Sequence, residues 1–391
     1  MDGFLWTFSV YSIVEIVLSV PFVYEVNDEV RKLLEDFRDM VNFCIDFAVK
    51  RRITSYARLR KSVYGEWKKR WDYSTHFCHS ACKIALAMLK SFRRLKRKRL
   101  AKGDRPEAKK LFMQLDPQLY KFYGDKIRIS VKPRKFLFID LRYGEYQKKF
   151  IDGWKERKLK TGEITINETK IIIPFRKEVD LTNPSDWITI DVNESNVTAV
   201  SSNPHILRIE NNLRTTHTTY FNIIRKIQKL KKFKPKTAEM LLKKYSGRRR
   251  RKAIDECHKI AKKIVDFAKQ HHMGIIMEDL KGIRRGINYS KNLNRRLHSW
   301  NFRRLQFYIE YKANLEGLPV VYVDPKGTSS LCPICGGRLA SNGHRLLKCK
   351  NCGYENDRDI IACLNLLRMR GAPLPLKALH EPLVIEVKGK G

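Results

Sequence analysis

The chain has 391 residues, enough for two or three domains with cores of their own. A hydrophobic fraction of 43% with 31% charged residues describes a chain that folds and excludes a disordered one. With 80 Lys and Arg against 41 Asp and Glu, the formal charge is +39, which repels itself unless a polyanion is bound. Nucleic acid is the partner class this implies.

The opening run, MDGFLWTFSVYSIVEIVLSVPFVYEV, is apolar. Asp2 replaces the positive start of a signal peptide, and Glu15 interrupts the ~20 apolar residues that a membrane span needs. Its Val, Ile, Phe and Tyr content predicts a strand over about 16–25. From 27 to 115 the pattern is helical. Val30, Leu33, Leu34, Phe37, Val41, Cys44 and Ile45 form an apolar stripe, with Asn27 placed as the cap. STHFCHSACKIALAMLKSFRRLKRKR continues as an amphipathic helix with a basic end, where Arg97 and Arg99 are candidate nucleic-acid contacts. His76, Cys78, His79 and Cys82 read as parts of this packed helix. No second ligand pair is near them in sequence.

The segments KIRISVKP, KFLFIDLRYG and EITINETKIIIPFRKEV alternate between turns and predict an antiparallel sheet over 125–180, which the N-terminal strand could join. From 186 the pattern is α/β. WITIDVNE and NVTAVSS are expected strands, followed by helices over roughly 213–232 and 252–271 and a third core strand, MGIIMEDL. LHSWNFRRLQFYIEYKANLEG reads as one helix stopped by Gly317, PVVYVD as a strand, and 358–369 as a closing helix. Lys and Arg concentrate at 92–99, 225–236 and 247–252.

Cys332, Cys335, Cys349 and Cys352 have the spacing Cys-x2-Cys-x13-Cys-x2-Cys. Each pair fits a tight turn helped by Gly336, Gly337 and Gly353, and four thiolates at about 2.3 Å close a tetrahedral zinc shell. A closed shell makes this a structural zinc. The other five cysteines, Cys44, Cys78, Cys82, Cys257 and Cys363, lie in apolar runs and read as buried thiols of a reducing cytosol.

Zinc is thus satisfied by sulfur, and Asp357 and Asp359 need another role. Asp359 precedes Ala362, Cys363, Leu366 and Leu367, which places it in a first helical turn, where an acid also suits the macrodipole. Asn356 or Asp357 would cap that helix. In WITIDVNES, Ile188, Ile190 and Val192 share one face and Asp191 takes the other, at a cost unless it is paired or binds metal. Glu278 ends an apolar strand. Asp191, Glu278 and Asp359 would suit a pair of Mg²⁺ ions that activate water and stabilise the leaving oxygen of a phosphodiester.

IDVNESNVTAV, RRRRKAIDECHKIAKKIV, GIIMEDLKGIR, VDPKGTSSLCPICG and CKNCGYENDRDIIACLNLL together resemble the TnpB family over about 185–370. This is the insertion-sequence OrfB family of RNA-guided endonucleases related to type V CRISPR effectors. The first half resembles it in layout only. Asn193 and Ile361 stand where the family usually has Gly and Asn.

The resemblance implies an α+β multidomain chain. A wedge β-barrel domain would take 1–26 and 116–184, and a helical recognition domain 27–115. A RuvC-like RNase H-fold nuclease domain would take 185–327 and 357–370, interrupted by a zinc ribbon at 328–356, with a C-terminal tail at 371–391. It implies Asp191, Glu278 and Asp359 as catalytic magnesium ligands, Asp357 as a cap or support, and Arg248, Arg249, Arg250, Arg251, Lys252 and His258 as nucleic-acid contacts near the site. Implied cofactors and partners are one structural Zn²⁺, catalytic Mg²⁺, a guide RNA from the element end, and target DNA, in a prokaryotic cytosol at the nucleoid. The activity implied is Mg²⁺-dependent, guided hydrolysis of DNA encoded by a transposable element. The alternatives are a nuclease-inactive guided repressor and a guide-independent RuvC-type nuclease.

Overall fold

The computed structural model describes residues 13–203, 205–283, 288–343, 345–375 and 384–387. Residues 1–12 of the expected wedge domain, and 376–383 and 388–391 of the expected tail, lie outside them. The chain divides into two compact units, Glu15–Glu178 and a second that starts at Val179. No helix among the described residues is long and apolar enough to cross a membrane.

The first unit opens with β1 (Ile13–Val23), which alternates so that Ile16, Val20 and Phe22 point into the core. Helices α1 (Asp28–Lys50), α2 (Tyr56–Lys68) and α3 (Thr75–Arg97) follow. Asn27 caps α1, its side chain accepting from the Val30 amide at 2.8 Å. The stripe from Val30 to Ile45 is buried against α3, where Phe77, Cys78, Ala81, Cys82 and Ala85 face inward. The helical run expected to reach 115 stops at Arg97. Residues 112–115 instead form β2 (Phe112–Leu115), which buries Met113 and Leu115. Next come β3 (Tyr120–Tyr123), β4 (Lys126–Lys132), β5 (Lys135–Asp140), α4 (Glu145–Lys155), β6 (Lys160–Thr161), β7 (Ile164–Asn167) and β8 (Lys170–Asp180). Two sheets result. One runs β1-β8-β7-β2 with β6 also on β8, and the other runs β3-β4-β5.

The second unit is built on β9 (Asp186–Val192), β10 (Asn196–Ser201), β11 (Ile206–Glu210), β12 (Met273–Glu278), β13 (Val320–Val323) and, beyond them, β17 (Val384–Val387). The sheet order is β13-β12-β9-β10-β11-β17. The β9-β10-β11 stretch is antiparallel, whereas β12 lies parallel to β9, β13 to β12 and β17 to β11. Gly274 lets β12 close on β9: an added Cβ would sit 2.5 Å from the Trp187 ring of its register partner.

Between β11 and β12 run α5 (Leu213–Leu230), α6 (Pro235–Tyr245) and α7 (Arg248–Gln270), then α8 (Lys291–Ser299) and α9 (Phe302–Leu315) precede β13. One sheet face, with Ile188, Ile190, Ile275 and Met277, packs with α7 and α9. The opposite face meets α10 (Arg358–Arg370), whose residues 359–367 are all buried. A small antiparallel sheet, β14 (Leu339–Ser341), β15 (Leu346–Cys349) and β16 (Glu355–Asp357), precedes α10.

The second unit also departs from the sequence reading. Strand β11 and helix α6 are additional, and α6 begins with Pro235 at its first position, where a missing N–H costs nothing. The expected single helix over 297–317 is broken. Trp300 leaves helical geometry (φ −63°, ψ 128°), and its ring meets that of Phe302, which is buried in the core.

Candidate functional site

Strand parity explains how distant acids meet. Along β9, Ile188, Ile190 and Val192 enter the α7/α9 core, so Thr189 and Asp191 face α10. Along β12, Ile275 and Met277 enter that same core, so Ile276 and Glu278 also face α10. The strands are parallel, and Glu278 lies one residue past the last registered pair, Met277 with Ile190. Asp359 stands in the first turn of α10 with 6% of its surface exposed. Asp191, Glu278 and Asp359 line one cavity of about 360 Å³, with Asn193, Thr328, Ser329, Arg345, Arg358 and Ala362.

The site carries surplus negative charge in a desolvated place. Burial pushes the Asp191 carboxyl up to about 7, helped by Asp359 and Glu278 and opposed by the Asn193 hydrogen bond and the Arg358 charge. The Asn193 amide donates to Asp191 Oδ2 at 2.9 Å, so the residue that departs from the family pattern orients the first acid. Burial also raises the Glu278 pKa, partly offset by the Thr328 hydroxyl, which donates to Glu278 Oε1 at 2.8 Å. Gln306 Nε2 holds the Glu278 carbonyl at 2.7 Å and fixes the strand end. Carboxylate oxygens and mutual repulsion fit a hard divalent cation.

Sequence reasoning did not place Arg345 beside the acids. From the residue just before β15, its guanidinium pairs with Asp359, and its Nε donates to Asp357 Oδ2 at 3.1 Å. Asp357 is the cap of α10, accepting from the Asp359 amide at 2.8 Å, and it also pairs with Arg208 at 3.3 Å. Burial would raise Asp357, but Arg345, the Asp359 amide and Arg208 together hold it below the usual carboxylate range. The available signal was an arginine inside the cysteine hairpin, which reads as a surface cation until β15 pairs with β16.

Cys332, Cys335, Cys349 and Cys352 bring their sulfurs within 4.8 Å of one another. Two pairs, Cys332 with Cys352 and Cys335 with Cys349, stand 3.6 and 3.5 Å apart. A tetrahedron with about 2.3 Å bonds has edges of about 3.8 Å, so the cluster fits zinc. Amides of Cys352 and Asn351 turned toward the Cys349 sulfur, against burial, bring its thiol down to about 6. Cys44, Cys78, Cys82, Cys257 and Cys363 are buried and unbridged.

The basic candidates are scattered. Arg248, Arg249, Arg250, Arg251 and Lys252 open α7, with no acid in its first turn. Cations there oppose the macrodipole, an arrangement that a bound anion offsets. Arg248 lies 5.0 Å over the Tyr245 ring and Lys252 5.8 Å over Tyr220. Arg249 and Arg250 line a second cavity of about 360 Å³ with His217, Arg303 and Arg304. His258 is half-buried and stacked 3.9 Å from the Tyr308 ring, with its pKa lowered by burial and by Lys312. Arg97 ends α3, and Arg99 follows in left-handed geometry (φ 55°), both exposed.

Two family models match, the Uncharacterized protein MJ0013 family over residues 33–130 and the Cas12f1-like, TNB domain over 302–366. The TnpB-like protein MJ0751 of Methanocaldococcus jannaschii is 46% identical over 257 residues, 64% of this chain and 92% of the relative. The CRISPR-associated endodeoxyribonuclease Cas12f1 of Sulfoacidibacillus thermotolerans is 38% identical over 112 residues, 28% of this chain and 25% of that protein. The solved structure of the mini-RNA-guided endonuclease CRISPR-Cas_phi3 shares the fold with a TM-score of 0.51 at 11% identity, covering 91% of this chain and 92% of that one.

Proposed function

The chain belongs to the TnpB-like family, and on that premise we propose that it is a guide-RNA-dependent endonuclease that hydrolyses DNA at its carboxylate cleft. The observation that carries this reading is the meeting of Asp191, Glu278 and Asp359 in one cavity. The order β11-β10-β9-β12-β13, antiparallel then parallel, supports an RNase H-type, RuvC-like nuclease at 185–327 and 357–370. The thiol cluster supports a zinc ribbon at 328–356. The sheets and helices of the first unit support a wedge domain (1–26 and 116–184) with a recognition insert (27–115).

Asp191, Glu278 and Asp359 would hold the Mg²⁺ pair. When bound, those ions would activate a water and stabilise the leaving oxygen of the phosphodiester. Asn193 and Thr328 fix one oxygen each of Asp191 and Glu278, which orients the donors before any ligand arrives. Arg345 lines the same cavity and would offer a guanidinium to a phosphate if it were released from Asp359. In-line attack by water leaves 5′-phosphate and 3′-hydroxyl ends. The cations of α7 and the end of α3 supply the sequence-independent attraction to RNA and DNA, and guide pairing supplies sequence.

The test is to express the gene with its downstream flank, sequence the RNA that co-purifies, and assay the complex on a DNA library with Mg²⁺. A discrete RNA with cutting that disappears in Asp191→Ala supports the proposal. A discrete RNA without cutting by the wild type makes the protein a guided DNA binder. Absence of any specific RNA replaces guidance with a guide-independent nuclease.

A further inference from the structure

The small sheet β3-β4-β5 has two unlike faces. Tyr120, Ile127, Ile129, Leu137 and Ile139 fill the core of the first unit. The opposite face exposes three aromatic rings: Tyr123 at 64%, Phe136 at 44% and Phe138 at 43%. Single exposed apolar residues are ordinary, but rings gathered on one face of a sheet mark a contact surface. Tyr123 and Phe138 stand 5.8 Å apart, edge to face. Phe136 and Phe138, two residues apart on β5, are spaced by about 7 Å.

Cations interleave with the rings. In register, Lys121 lies opposite Arg128, Arg128 opposite Phe138, and Tyr123 opposite Lys126. The Arg128 guanidinium sits 4.5 Å over the Phe136 ring. Asp140 pairs with Lys126 at 2.9 Å. Among the described residues, Lys121 and Arg128 have no carboxylate partner, and Arg128 Nε is buried without a hydrogen bond. A register shift between Ser130 and Lys132 marks an irregularity at the end of this face, near Phe136.

We propose that this face is a stacking platform for two or three unpaired nucleotides of RNA, with bases on Tyr123, Phe136 and Phe138 and phosphates on Lys121 and Arg128. Aromatic faces with unneutralised cations between them match a partner that alternates flat bases with anions. A duplex hides its base faces, so the occupant is single-stranded. RNA is favoured because unpaired RNA is read by unstacking bases onto sheet-borne aromatics. DNA, by contrast, offers such bases only after a target has been opened. The inference rests on the reading above only in taking RNA as a partner.

The test uses the full chain and a fluorescein-labelled, unstructured, uridine-rich RNA, with anisotropy read at salt high enough to weaken phosphate contacts. The variant Tyr123→Leu/Phe136→Leu/Phe138→Leu keeps apolar bulk and leaves the inner face untouched, and its thermal midpoint checks folding. RNA affinity should fall about ten-fold or more with an unchanged salt slope. Phe138→Trp should keep wild-type affinity, with indole emission quenched by RNA. Wild-type affinity in the triple variant overturns the platform. Equal loss for single-stranded DNA of the same sequence overturns the assignment to RNA. An altered oligomeric state in the triple variant makes the face a self-contact instead. Guided cutting with normal RNA affinity in that variant removes the platform and leaves the nuclease reading standing.

Discussion

The four thiols and the three carboxylates gather ligands in opposite ways. The thiols span only 332–352, and tight turns with short strand pairing bring them together, so the site is a property of one hairpin. The carboxylates span 191–359 and meet only because β9 and β12 pair in parallel and α10 docks on the face that holds both acids. The hairpin cluster sits at the spacing its ion requires. The carboxylate cluster sits under repulsion and burial that its ion would relieve. On the proposed reading, one site would stabilise the local chain, and the other would cost stability in return for reactivity.

The largest expected effect follows from that contrast. Asp191→Asn should lower guided DNA cutting by about three orders of magnitude while co-purified RNA is unchanged. The same variant in chelator at pH 8 should be more stable than wild type by about 2–4 kcal/mol, measured by denaturant unfolding, because a neutral amide replaces a buried charge. A less stable variant would show that Asp191 is well accommodated, and the contrast would fail.

Cys349→Ser should have the reverse signature. Bound zinc, read by elemental analysis, should fall from one equivalent toward none, and amides over 328–357 should exchange freely, a local loss of several kcal/mol. Cutting should drop as well, because Arg345 and Asp357 leave the start of α10 when the hairpin melts. Intact zinc content in this variant would remove Cys349 from the ligand set.

The pH dependence of the two sites should also diverge. The Asp191 pKa is raised to about 7, so the folded protein holds a proton that the unfolded chain releases near 4. Without metal, that contribution to stability is present below about pH 4. It is lost as pH rises to about 7 and changes no further above it. Divalent-ion affinity should run the other way, rising about ten-fold per pH unit up to 7 and levelling off, as read by Mn²⁺ titration. A flat profile between pH 5 and 8 would exclude Asp191 as the titrating ligand.

Arg345→Ala tests the bridge between the sites. Removing the cation from Asp359 should tighten Mn²⁺ binding by roughly three- to ten-fold while cutting falls, since a phosphate partner is lost with it. Unchanged Mn²⁺ affinity would make the pair a surface contact. The smallest effect belongs to the exposed cations. Arg97→Ala should lower the salt slope of RNA binding by about one and leave cutting rates on bound target unchanged.

Much of this was legible in the chain. The cysteine spacing, the parity that turns Asp191 from the Ile188–Ile190–Val192 face, and the helical stripe leading from Asp359 are local patterns that survive folding. What escaped notice depends on partners distant in sequence. Arg345 gains meaning only when β15 pairs with β16. The stack of His258 on the Tyr308 ring likewise joins residues fifty positions apart. Helix α6 was signalled by Pro235 but hidden in a basic run, and β11 is too short to show a period. The aromatics of β3 and β5 alternate correctly for a half-buried sheet, and nothing local tells which face stays bare.

Helix α10 has a consequence for the timing of synthesis. Its residues 359–367 are buried on every side, so it cannot rest stably until the sheet beneath it exists. Parallel pairing of β9 with β12 must already have closed a long loop by then. Asp359 is therefore the last of the three acids to take its place as the chain is made. A chain that has not yet reached Asp359 carries two acids without the third, and on the proposed reading its cleft would be inert toward nucleic acid.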